Sequence, residues 1–174
     1  GNSASPFQVY GISGGKFSDF SWSVEDESKV YKSRELVNLT FTELPTNALT
    51  MRGWVVTNTA AIAALDNSPN DLLTDWWQMA CDATGDANDV YTKFHQNSQG
   101  LHRLDRHIGK LMASAANLKN PMFGVQFASY AEACQKARQA PRGRVFVAMV
   151  SLRFRVDRSR GKTLNTRHLL SCLL

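Results

Sequence analysis

The chain has no apolar run approaching the ~20 residues that a membrane helix needs, so no segment reads as a helical span. It also lacks the short motifs that announce a reaction or a cofactor: GxGxxG, GxxxxGK followed by Ser or Thr, HExxH and GxSxG are all missing. The stretch Gly11-Ile12-Ser13-Gly14-Gly15 is too short for a phosphate loop and carries no lysine. Cysteine is scarce. Cys81, Cys134 and Cys172 stand far apart with no CxxC pair, which argues against a disulfide framework or a thiolate metal site. A reducing compartment, the cytoplasm or the interior of a virion, fits this usage, with Cys81 and Cys134 as small buried hydrophobes. The opening Gly1-Asn2-Ser3-Ala4-Ser5-Pro6 has neither a basic nor an apolar leader region. Ser5 stands where an N-myristoylation signal wants Ser or Thr, but Pro6 follows it, and residues 1–6 read as a flexible start.

What is present is ordinary in amount and uneven in placement. With 43% hydrophobic and 20% charged residues, 174 residues suit one soluble domain spanning 1–174. Residues 136–174 hold ten Lys or Arg against the single acid Asp157, a net of +9, whereas residues 1–135 hold ten bases and fourteen acids, a net of −4. Such a split marks one region as anion-seeking, toward the phosphates of nucleic acid or of an anionic membrane surface.

Hydrophobic periodicity suggests strands at both ends and helices between them. Residues 36–42 alternate, with Val37, Leu39 and Phe41 on one face. After the turn Pro45-Thr46-Asn47, residues 49–57 form a second candidate strand, and together they suggest an antiparallel hairpin. Residues 7–12 are a shorter one. Glu25-Asp26-Glu27 reads as a solvated loop, and Asn58-Thr59 as the cap of a short Ala-rich turn. Ser68-Pro69-Asn70-Asp71 predicts a helix start, followed by the stripe Leu72, Leu73, Trp76, Trp77 and Ala80 and ended near Gly85. Trp76 and Trp77 face about 100° apart, so one belongs to the core and the other is either core or a partner contact. Asp86 caps a helix with Val90, Tyr91 and Phe94; another runs over 101–118; a capping box at Ser129 and Glu132 opens a fourth that Pro141 ends. In residues 145–156 every even position is apolar while the odd positions turn from Val147 and Met149 to Arg153 and Arg155, which predicts a strand with one basic face. The expected fold is α+β: an antiparallel sheet from N- and C-terminal strands packed with about four central helices.

Two groups of residues fit a phosphate-binding role. Arg142, Arg144, Arg153, Arg155, Arg158, Arg160 and Lys162 surround the last candidate strand, and arginine grips phosphate bidentately. Arg103, Arg106 and Lys110 fall at i, i+3 and i+7 of a helix, a one-sided basic stripe. The same helix carries the only nuclease-like grouping, His102, Asp105 and His107. Its histidines are five apart and so point about 140° away from each other, which cannot hold one metal ion. No catalytic, metal-ligating or cofactor-binding residue is assigned. The tail, with Leu169, Leu170, Leu173 and Leu174, is too apolar to hang in water and predicts docking on a neighbouring copy over residues 168–174. These features together suggest a non-enzymatic, self-assembling structural protein that binds a polyanion, RNA rather than DNA, through its basic end. That is the general character of viral coat, nucleocapsid and matrix proteins. The rival readings are a monomeric nucleic-acid-binding accessory domain and a nuclease-like enzyme.

Overall fold

A computed structural model describes residues 20–163, with side chains through Arg155. Among the described residues there are seven α-helices: α1 (Ala48–Ala63), α2 (Leu72–Cys81), α3 (Ala87–Gln96), α4 (His102–Met112), α5 (Ala115–Leu118), α6 (Gly124–Lys136) and α7 (Gly143–Thr163). Two 3-10 turns, Glu27–Lys29 and Ser33–Asn38, precede them. There is no strand among the described residues, so the expected α+β fold and its antiparallel sheet are wrong: the molecule is all-helical where it is described.

Helix α7 lies at the centre, packed by α1, α2, α3 and α4. Val145, Phe146, Val147, Ala148, Met149 and Val150 are all buried. A helix enclosed on every side needs no polar stripe, so its 3.6-residue period vanishes from the sequence, and the even-position alternation over 145–156 was coincidence. Phe154 is buried and Arg153 exposed, as expected, but on a helix rather than a strand. The expected strand over 49–57 lies inside α1 for a similar reason. Met51, Trp54 and Ile62 are buried while Leu49 and Val56 stand 74% and 71% exposed on the outer side, so apolar residues cover both faces. Its start is set by a capping box: Asn47 Oδ1 accepts the Thr50 amide at 2.9 Å, and Thr50 Oγ1 accepts the Asn47 amide at 3.1 Å. Residues 36–42 form no strand either. Leu36 and Leu39 are buried and Val37 is exposed, the three-residue spacing of a 3-10 turn.

The central helices are close to expectation, with shifted ends. Helix α2 starts at Leu72 rather than Pro69; Ser68 Oγ accepts the Leu72 amide and Asp66 accepts that of Leu73. Both Trp76 and Trp77 are core, their indole N–H groups donating to the Ser98 carbonyl at 3.1 Å and to Thr59 Oγ1 at 3.0 Å. The helix expected over 101–118 breaks at Ala113–Ser114 into α4 and α5, and Ser129 lies within α6 instead of opening it. Glu27 is no solvated residue: its carboxylate accepts the Arg103 and Leu104 amides at 3.0 and 2.8 Å and caps α4 from across the fold.

Two glycine contacts set how the elements meet. A Cβ on Gly109 would stand 2.3 Å from the Pro141 carbonyl oxygen, and one on Gly143 would stand 2.3 Å from Ile108 Cγ2. The crossing of α4 and the start of α7 is therefore backbone against backbone. Gly100, at φ +85°, lies against Val24, where a Cβ would fall 2.1 Å from the carbonyl oxygen.

Candidate nucleic-acid interface

The basic residues of the C-terminal third separate into three environments along α7. Arg144, at its start, is fully buried and cannot reach a phosphate. Its guanidinium donates to Gln99 Oε1 at 2.9 Å, the Asn97 carbonyl at 3.0 Å and the Trp76 carbonyl at 3.3 Å. Aromatic rings close around it, with Trp76, Phe94 and Phe20 centred 4.4, 4.8 and 5.5 Å from Cζ. Asp105, also buried, accepts the Arg144 amide at 3.0 Å and the Ser98 hydroxyl at 2.7 Å, capping α7 from α4. Burial pulls the Arg144 guanidinium down to about 10, with the Asp105 charge opposing that shift. Burial raises the Asp105 carboxyl, and Arg144 offsets part of the rise. This cluster holds α2, α4 and α7 together.

Toward its other end α7 keeps one face in the core, at Ser151 and Phe154, and turns Arg153 to solvent. Ser151 Oγ donates to the Cys81 carbonyl at 2.6 Å, so α7 passes the end of α2 there. One turn on, Arg155 is one-third exposed and lies 3.9 Å from the Asp82 carboxylate, itself 73% exposed. An exposed pair at that distance contributes little and competes weakly with a phosphate. Arg153 is exposed. The α7 backbone continues through Thr163, which places Arg158, Arg160 and Lys162 on the same helix. From Arg153 to Lys162 the axis advances about 13 Å at 1.5 Å per residue. Bases at a helix C-terminus also complement its dipole.

The third environment precedes α7. Lys136 ends α6, Arg138 follows with φ +59°, and Arg142 donates its amide to the Tyr130 hydroxyl at 3.0 Å. Arg142, directly before α7, lies thirteen positions from Arg155, about 20 Å along the helix axis. Between α3 and α6 a cleft of about 370 Å³ opens beside them, walled by Tyr91 and His95 on one side and Tyr130, Ala133 and Ala137 on the other, with Gln139 at its rim. Tyr130 Oη accepts the Arg142 amide and pairs with His95 Nδ1 at 2.7 Å, and His95 Nε2 pairs with Gln139 Oε1 at 2.6 Å. Burial raises the Tyr130 phenol and the Cys134 thiol, so neither is an activated nucleophile.

On α4, Arg103, Arg106 and Lys110 are exposed, as the helical spacing implied. His102 is exposed, Asp105 is committed to Ser98 and Arg144, and His107 is half-buried with its ring hydrogen-bonded to the Leu36 backbone. The nuclease-like grouping is thus dispersed. No group of three His, Cys, Asp or Glu gathers as a metal site would require among the described residues. Cys81 and Cys134 are buried free thiols. Residues 1–6, the candidate strand over 7–12 and the tail with Leu169, Leu170, Leu173 and Leu174 lie outside the described residues. No family model, characterised protein or solved structure matches this chain. Sequence reading missed the α3–α6 cleft, whose walls come from residues some forty positions apart. The local hint was a pair of small residues, Ala133 in α6 and Ala137 just past its end.

Proposed function

We propose that this protein is a non-enzymatic, self-assembling structural component that binds RNA through the basic C-terminal half of α7, in the manner of a viral coat or nucleocapsid subunit. The observation that carries the reading is the charge split. Removing the buried Arg144 from residues 136–174 still leaves nine bases against Asp157. A helix carrying Arg153, Arg155, Arg158, Arg160 and Lys162 in sequence, with Arg153 exposed, suits a phosphate backbone followed without reading its sequence. The exposed stripe Arg103, Arg106 and Lys110 on α4 supplies a second phosphate contact. Self-assembly is supported by the exposed Leu49 and Val56, seven residues apart on the outer face of α1, and by the apolar composition of residues 168–174.

Binding to single-stranded RNA, followed by fluorescence anisotropy from low to physiological salt, tests the reading. Affinity should fall steeply and linearly on a log–log plot as counterions are released. Salt-insensitive or absent binding overturns it, and tighter binding to anionic vesicles than to RNA reassigns the surface to a membrane. Light scattering tests assembly: deleting residues 168–174 should lower the oligomer size and leave the melting temperature nearly unchanged.

A further inference from the structure

The geometry points to the cleft between α3 and α6 as a binding site for a nucleotide, its base between Tyr91 and Tyr130 and its phosphate toward Arg138 and Arg142. This inference rests on the RNA-binding reading and deepens it, because that reading invoked only phosphate contacts. Three observations support it. The cleft volume, about 370 Å³, lies within the ~300–1,000 Å³ of small-ligand sites. Its lining combines the rings of Tyr91 and Tyr130 with the small side chains Ala133, in α6, and Ala137, just past its end, which leaves room for a flat ring. Its polar groups are neutral and mixed: Gln139 turns its oxygen to His95 and so leaves its amide N–H groups free, and Thr92 and Gln96 line the same opening. A nucleobase edge offers donors and acceptors of that kind.

The electrostatics select an anion over a neutral ring compound. No carboxylate lines the cleft; Lys136 and Arg138 flank its lining residue Ala137 in sequence, and Arg142 follows the lining residue Gln139 by three positions. The Arg142 backbone amide donates to the Tyr130 hydroxyl at the edge of the cleft, while its guanidinium donates to the Ala140 carbonyl. Two hydrogen-bonded bridges span the cleft, His95 to Tyr130 and Tyr91 to Gln126, so it is held open at a set width rather than formed by ligand. The same chemistry serves a free mononucleotide or one nucleotide of an RNA strand.

The test uses the full chain, with Ala137→Leu and Ala133→Leu as variants that fill the cleft from exposed positions and leave the core untouched. Each is titrated with the four nucleoside monophosphates, with single-stranded RNA and with inorganic polyphosphate of equal charge. Filling the cleft should weaken RNA binding about tenfold, the scale of one lost base stack, with the salt slope and polyphosphate affinity unchanged. Monophosphate binding that the variants abolish identifies the free nucleotide as ligand; an effect confined to RNA identifies a strand. If both variants bind RNA as the parent does and no monophosphate binds, the cleft is not a nucleotide site, whereas loss of the salt dependence itself would overturn the broader reading.

Discussion

Arg144 and Arg153 stand nine residues apart on one helix and meet opposite surroundings. The first is sealed among Trp76, Phe94 and Phe20 with three oxygen acceptors and the nearby Asp105; the second is in solvent. Residue type alone therefore says little about what an arginine in this region does. What separates the two is the depth of α7, which is enclosed all round from Val145 to Val150 and, past Ser151, keeps Phe154 in the core while Arg153 faces solvent. A buried guanidinium is tolerated because its acceptors and a counter-charge are already in place, and removing it strands them.

The sharpest way to break this contrast is to truncate both arginines. Arg144→Ala should lose about 3–5 kcal/mol of stability, the scale for removing one partner of a buried charged cluster, read as a lower urea midpoint. Arg153→Gln should stay within about 0.5 kcal/mol of the parent, as exposed positions do. Equal losses at both sites would show that the two ends of α7 do not differ as described.

A somewhat smaller effect is expected where α7 begins. Gly109→Ala puts a methyl group against the Pro141 carbonyl and should cost about 1–3 kcal/mol, as overpacking does. Gly53→Ala, with open space around it in α1, should be neutral or mildly stabilising.

The smallest expected effect is on pH dependence. Burial holds the His107 imidazole below its ordinary value, with Lys110 and Arg103 adding to the shift. In the folded protein His107 thus resists the proton that the unfolded chain accepts near its usual pKa of about 6.5. Stability should decline as pH falls below that value and be unaffected by this group above it. Urea midpoints at pH 7.5 and 5.5 check this, and in His107→Gln the part of the decline due to this residue should vanish.

How far this fold was legible follows from where each helix lies. Helices α2, α3 and α4 have one wet face, so their apolar spacing showed, as did the burial of Cys81 and Cys134. Helices α1 and α7 carry apolar residues around much of their circumference, and α7 is rich in valine, which imitates a strand. Two signals stood against the strands: the Asn47–Thr50 capping box, and the twelve-residue length of 145–156, about twice that of a common strand. Of the candidate site, the sequence shows the charges and not their depth. Arg144 carries no local mark that distinguishes it from Arg142 or Arg153, because its acceptors at Trp76, Asn97 and Gln99 arrive from other helices and loops.

The most direct measurement is the salt dependence of RNA binding by the parent chain and by the double variant Arg153→Ala, Arg155→Ala. Both replacements leave the Arg144 cluster intact, so the variant should fold normally by circular dichroism. The slope of log affinity against log salt should flatten by about 1.4 units, about 0.7 for each single-strand phosphate no longer neutralised. An unchanged slope and affinity would contradict the assignment of the outer half of α7 as the RNA-binding surface.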